Sequence, residues 1–312
     1  MAYVRNQITG VDLAALNLDK PILLADHPLR AFHLGSNTGG RWNQTGNPGD
    51  ADETASGFSV YRGYDGHARS ELVTKPDADQ LTWYYTFNVS ADPITFDTLF
   101  LYGPNLAGFG IELQIADDAA HTSNNATIAQ IIDQPYAIGE ATAAKRNVHA
   151  MLGAIDLGKL YSYTAVEYVR LKFTINPADT PEVSEFWLGS RRQLLFHPDL
   201  PHGNLAERSG IDQARTRPGL TTADVHRRGQ ATRELVASVG TSDELDPFTG
   251  WWQDSGRGQR SFVYIELPST APKGYLMAAD ADAVDFNPAL EEGLARRPRI
   301  PMRELDPLRS QD

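Results

Sequence analysis

The sequence predicts an all-β protein, a β-sandwich followed by a smaller, mostly-β region with one inserted short helix. Three observations carry this. Leu81, Trp83, Tyr85, Phe87 and Val89 alternate with Thr82, Tyr84, Thr86 and Asn88, the period of a half-buried strand. Phe96 to Leu106 and Phe109 to Ile115 read as two strands joined by a Gly103-Pro104-Asn105 corner. Tyr168 to Ile175 alternates again and leads into Val183 to Gly189.

In order along the chain, residues 1–20 lack periodicity and read as an N-terminal arm. Ile22-Leu23-Leu24 and Ala31-Phe32-His33-Leu34 are short strands on either side of an Asp26-His27-Pro28 break. Gly35 to Arg69 is dense in Gly, Asn, Asp and Thr, a connection longer than ordinary loops and therefore a place for function. Trp42, Tyr61 and Tyr64 in this region are the candidate recognition residues, rings that could stack on a sugar or anchor a partner protein; burial of the same rings under a folded-back loop is the competing reading. Between His121 and Ile155 the pattern weakens, and Ile128, Ile131 and Ile132 suggest a short helical turn before Gln134-Pro135.

The first domain is assigned to 21–195 and the second to 196–312, with His197 to Asn204 as the linker because two prolines and a glycine interrupt any period. Beyond it, strands are expected near Leu220 to Val225, Thr232 to Val239, Ser261 to Leu267, Gly274 to Ala279 and Ile300 to Leu305. Thr241-Ser242-Asp243-Glu244 opens a helix reaching Asp254, with Pro247 awkward inside it. Trp251-Trp252 are expected to cover the second core.

Composition removes several functions. The 312 residues carry 28 basic and 40 acidic side chains, a formal charge of −12, which disfavours nonspecific attachment to nucleic acid or anionic membranes. No cysteine is present, so disulfides, thiolate nucleophiles and cysteine-held metals are out. Met1 to Gly10 does not read as a secretion signal, and no apolar run approaches the roughly 20 residues of a membrane span.

Chemistry is equally sparse. There is no Gly-x-Ser-x-Gly elbow and no Walker or Gly-x-Gly-x-x-Gly loop; Gly256 to Arg260 is a turn before a strand. His197 and His202 flank the linker prolines without the helical spacing of a metal pair. Asp280 to Asp285 alternates carboxylates like a calcium loop but lacks its glycine and terminal Glu, so it reads as a solvated acidic turn. No carboxylate pair for glycoside hydrolysis stands out. No catalytic, cofactor-binding or metal residue is assigned; the protein is read as no enzyme, and no cofactor is called for.

Phe96 to Leu106 with the strand after it resembles the segment of galactose-binding-like (discoidin-type) jelly rolls where an Asp-containing strand ends at an Asn-Leu corner, and Tyr168 to Leu171 with Val183 to Gly189 is similar to the closing strands of that fold. Trp251-Trp252, Arg260 to Tyr264, Pro272 to Leu276 and Ile300 to Leu305 resemble the small β-domain of minor tail and distal-tail-type virion proteins of tailed bacteriophages. This resemblance implies a jelly-roll adaptor of a virion at the tail, neck or fibre attachment region. It would be assembled in the bacterial cytoplasm, with other virion proteins as partners and a homo-oligomeric ring or trimer as its state. The alternative is a carbohydrate-binding module for host-surface glycans, and the third reading is a glycan-active enzyme with unidentified acids. Asp97 and Asn105 are expected to tie turn backbone and not to bind ligands.

Overall fold

The computed structural model describes residues 8–9, 20–30, 40–47, 49–66, 72–103, 109–122, 126–132, 150–156, 163–176, 179–195, 206–215, 221–236, 238–266, 273–280 and 298–305. Its strands in the first half are β1 (Ile8–Thr9), β2 (Ile22–Leu24), β3 (Arg41–Asn43), β4 (Leu72–Val73), β5 (Thr82–Asn88), β6 (Ile94–Phe96), β7 (Thr98–Gly103), β8 (Gly110–Ala116), β9 (Ala126–Ile132) and β10 (Ala150–Asp156). Then come β11 (Tyr163–Val166), β12 (Tyr168–Thr174), β13 (Glu182–Val183), β14 (Glu185–Gly189), β15 (Arg192–Gln193), β16 (Ala206–Arg215) and β17 (Thr221–Val236). Helix α1 (Ser242–Asp254) precedes β18 (Phe262–Glu266), β19 (Lys273–Ala279) and β20 (Arg299–Glu304). The fold is all-β with a jelly-roll sandwich.

The five-stranded sheet runs β3-β5-β12-β8-β9. Its register aligns apolar triplets across three strands: Phe87, Val169 and Ile115, then Tyr85, Leu171 and Leu113, then Trp83, Phe173 and Ile111. All point into one core because the side-chain period is two. Tyr84, Lys172 and Glu112 fill the next row on the opposite face, where Lys172 lies 3.3 Å from Glu112. Trp42 of β3 and Phe109 complete the core.

Facing this sheet is a four-stranded one, β1-β10-β7-β14, in which β7 and β14 are apolar on both faces. Leu99, Leu101, Phe186 and Leu188 meet the five-stranded sheet, while Phe100, Tyr102 and Trp187 turn the other way. That outer face is covered by a seven-stranded sheet, β15-β2-β18-β19-β20-β17-β16, through Ile22, Leu24, Val263, Ile265 and Leu276. The far face of the seven-stranded sheet packs on α1, with Leu245, Phe248 and Trp251 against Leu23, Phe262, Tyr264, Met277 and Ile300. Three sheets and a helix therefore form four layers with three apolar seams between them. An unbroken apolar run, and not simple alternation, is what a strand buried on both faces requires.

Several sequence expectations change here. β7 and β8 flank the Gly-Pro-Asn corner but lie in different sheets; residues 104–108, Asn105 among them, fall outside the described residues. Ile128, Ile131 and Ile132 belong to strand β9, paired along β8, and not to a helical turn. Residue 21 does not open the jelly roll: Ile22–Leu24 pairs with β18, and Arg192–Gln193 with β2, so strands near both ends of 21–195 lie in the seven-stranded sheet. The expected strands 220–225 and 232–239 are one sixteen-residue strand, and its partner β16 was not expected at all. Ala31 to Leu34, His197 to Asn204 and Asp282 to Asp285 lie outside the described residues.

Helix α1 begins where the capping box predicts. Thr241 Oγ1 accepts from the Glu244 N–H at 3.3 Å and Glu244 Oε2 accepts from the Thr241 N–H at 3.2 Å. Pro247 sits inside the helix, which starts at Ser242 and not later; Trp251 beyond it is held in the core. Trp252 is partly buried against the same core.

Candidate functional site

The three predicted recognition residues are separated by burial. Trp42 is fully buried, its ring 5.1 Å from those of both Tyr85 and Phe173. Tyr64 is buried too, edge-on to Phe87 at 5.6 Å, and burial holds its hydroxyl protonated well above the usual tyrosine range. Neither offers a ring face to a ligand, because both fill the space beneath the loop. Gly40 and Gly63 make room there: a Cβ on either would stand 2.4 Å from Tyr85. Tyr61 alone is exposed, at 43%, on a short turn of 3₁₀ helix (Val60–Gly63) whose start is capped by Ser59. Its ring rests edge-on against Tyr64 at 6.1 Å.

A different place gathers polar groups. The chain leaves β2 at Ala25 and crosses from the seven-stranded sheet to the jelly roll through Asp26, His27, Pro28, Leu29 and Arg30. Trp187 fastens the crossing, donating from Nε1 to the Asp26 carbonyl at 2.8 Å. Ser190 N–H donates to Asp26 Oδ2 at 3.1 Å. His27 stacks on Trp187, and the Arg30 guanidinium lies over the same indole 4.7 Å from its centre. Arg30 then reaches Ser261, just before β18 of the seven-stranded sheet, donating to its carbonyl at 3.2 Å and to its Oγ at 2.5 Å. Gly66, at φ +82°, permits this: a Cβ there would meet Arg30 Nη2 at 2.1 Å.

Under the crossing lies Glu185, fully buried, 3.8 Å from His27 Nε2 and 4.0 Å from Arg30 Nη2. These separations look like ion pairs, but the environment says otherwise. Burial pushes the Glu185 carboxyl up to about 8, against the pull of Arg30, and burial together with Arg30 drives the His27 imidazole well below its usual range. At neutral pH both are chiefly uncharged. Among the described residues neither nitrogen of His27 has a hydrogen-bond partner.

Above this cluster a cavity of about 760 Å³ opens between the two sheets, with three guanidinium groups (Arg30, Arg260, Arg303) and three carboxylates (Asp26, Asp65, Asp254) on its walls, plus Gln259 and Ser261. Asp254 is engaged by Arg192 Nε at 2.8 Å, and burial raises Asp26. Balanced charge and planar donors and acceptors make this a hydrogen-bonding surface. Among the described residues no group of three or more His, Asp or Glu side chains is arranged to hold a metal. Asp97, on the jelly-roll side, accepts from the Arg191 N–H at 3.0 Å and from Thr98 Oγ1 at 2.8 Å, a turn-tying role.

The cavity draws on residues near 26–30, 65–66, 254–261 and 303–305. No motif joins them in the sequence. The only local signals were the Asp26-His27-Pro28 break and the Gly256 to Arg260 turn, each read as a connection.

No protein-family model and no curated protein matches the chain. Solved structures do. Chitosan-binding module 1 from a chitosanase/glucanase of Paenibacillus sp. IK-5 is 14% identical, covering 50% of this chain and 96% of its own, with a TM-score of 0.33. CBM32-1 from a family 31 glycoside hydrolase of Clostridium perfringens is 14% identical over 52% of this chain and 99% of its own, TM-score 0.31. The lectin domain of lectinolysin, solved with Lewis B antigen, is 14% identical over 50% and 97%, TM-score 0.30. Each of these modules aligns along nearly its whole length with about half of this chain.

Proposed function

We propose that the protein is a non-enzymatic structural component acting through protein-protein contacts, and more finely a virion adaptor of a tailed phage, placed at the tail, neck or fibre attachment and assembled in the bacterial cytoplasm. The ribbon formed by β16 and β17 supports the contact part of this reading, and the virion part rests on the sequence resemblance of the second domain. β17 pairs with β20 only from Thr232 to Val236, yet pairs with β16 all the way from Thr221 to Thr232. Over Thr221 to Ala231, among the described residues, the only strand beside β17 is β16. At about 3.3 Å per residue this free ribbon is roughly 35 Å long. A two-stranded ribbon is marginal in water by itself, so one of this length is explained by a neighbour that it reaches. The four tightly joined layers supply the rigid body from which it reaches.

Removal of residues 206–231 with a short turn in their place tests the reading. Particles assembled with the full chain are expected to contain the protein by mass spectrometry and electron microscopy. The shortened protein, folded by circular dichroism, is expected to be missing from them. Absence of the intact protein from any particle would sink the reading.

A second reading, a carbohydrate-binding module, is favoured by the cavity between the sheets. Asp65, Gln259 and Arg260 on its walls are planar groups able to hold paired hydroxyls, and three guanidinium groups beside three carboxylates leave no net charge to select a charged ligand over a neutral saccharide. The similar solved structures include a chitosan-binding module and a lectin domain with Lewis B antigen. Glycan-array binding that Arg260→Ala removes and Tyr61→Ala leaves intact would assign the cavity; no binding to any glycan would end this reading.

A further inference from the structure

Among the described residues the seven-stranded sheet ends on one side in β15, two residues long, and on the other in β16, ten residues long. Short edges protect themselves; long ones invite pairing unless a bulge, a proline or a lysine blunts them. β16 has none of these. It contains neither Pro nor Lys. The register shifts between β16 and β17 add residues to β17 alone: Arg208 faces Gln230, Gly210 faces Arg227 and Ile211 faces Val225, so the outer edge of β16 runs without a bulge.

The order of charges along β16 chooses the occupant. Glu207, Arg208, Asp212 and Arg215 are arranged so that, when the strand is laid antiparallel to itself about Ile211, Glu207 falls opposite Arg215 twice and no like charges oppose. Residues 206–231 also hold five arginines against three carboxylates, a net +2 within a chain of −12, so repulsion between acidic bodies is reduced at this place.

Resting on the assembly reading above, we propose that β16 pairs antiparallel with β16 of a second copy of this chain, across a two-fold axis at Ile211, joining two seven-stranded sheets into one. Such a contact is isologous and closes at two copies, unlike the ring or trimer that the resemblance implies.

The absence of cysteine gives a clean test. Facing residues of antiparallel strands have Cα atoms about 4.5 to 5.5 Å apart, within disulfide reach. The Ile211→Cys protein is expected to form an intermolecular disulfide under mild oxidation, while Tyr61→Cys, on an exposed turn elsewhere, stays single. Light scattering is expected to show a wild-type dimer. Glu207→Arg should weaken it about tenfold and adding Arg215→Glu should restore it. A wild-type monomer at every concentration, or Ile211→Cys that cross-links no faster than Tyr61→Cys, overturns the pairing. If the protein still enters particles in that case, the assembly reading stands and only its partner is wrong.

Discussion

The imidazole of His27 lies nearly flat on the indole of Trp187, with ring centroids 4.2 Å apart and planes 15° from parallel. His27 lies on the connection leaving β2 of the seven-stranded sheet and Trp187 on β14 of the four-stranded one, so the stack is a fastening as much as a contact. It also puts a base that stays uncharged beside Glu185, an acid that keeps its proton.

That pair predicts a pH dependence of stability. Glu185 is raised from 4.5 to about 8 on folding, so its stabilising contribution is complete below pH 4.5 and is lost as pH climbs through 8. His27 is lowered, so it acts in the opposite sense, costing stability as pH falls below 6.5. Between pH 6.5 and 8 only the Glu185 slope operates within this pair, at most about 1.4 kcal/mol per pH unit. Urea unfolding across that interval is expected to show wild-type stability falling, and Glu185→Gln is expected to flatten the fall. An equal slope in both proteins would refute this account of Glu185.

Trp187 loses different things to different substitutions. Trp187→Ala removes a fully buried ring from the seam between two sheets and is expected to cost about 3 to 5 kcal/mol in chemical denaturation. Trp187→Phe keeps a ring but forfeits the bond to the Asp26 carbonyl, and should cost about half as much.

Gly189 has no room for a methyl group. A Cβ would stand 1.9 Å from the Asp26 carbonyl oxygen, which is backbone and cannot swing aside. Gly189→Ala should therefore lose at least about 2 kcal/mol by thermal or urea unfolding. Gly57→Ala is the comparison: φ is +84° there but nothing lies within 4 Å, and its cost is expected to stay near 1 kcal/mol.

Trp42→Ala and Tyr61→Ala are expected to part company. The first opens a cavity in the jelly-roll core and should cost about 3 to 5 kcal/mol by urea unfolding, so any loss of binding in it reports on folding. The second alters an exposed side chain and should leave stability within about 0.5 kcal/mol.

Strands β5, β12 and β8 are legible because apolar side chains on the core face alternate with mostly polar ones on the other, a period of two written directly into Trp83 to Phe87 and Val169 to Phe173. Helix α1 was legible from the Thr241 and Glu244 cap. The pairing of β2 with β18 was not, since Ile22 to Leu24 is apolar throughout and an unbroken run does not say which sheet it joins. β16 and the middle of β17, residues 226–231, escaped because they are polar and glycine-interrupted, with no apolar alternation in the sequence to mark a strand. Trp42 and Tyr64 illustrate the same limit at the site: a glycine-rich loop can hold an aromatic ring out or lay it in, and only the fit of Tyr85 between Gly40 and Gly63 decides.

The pairing of Ile22–Leu24 with Val263–Ile265 sets a timetable for synthesis. Leu24 is made 239 positions before its partner Val263, and at roughly 5 to 20 residues per second it waits for more than about ten seconds. During that interval a nascent jelly roll can close its inner core while Phe100, Tyr102 and Trp187 still face water, uncovered until the last strands leave the ribosome. The growing chain thus passes through a stage with one sticky wall, during which crowding by other nascent chains or holding by a chaperone determines how much of it survives to be finished.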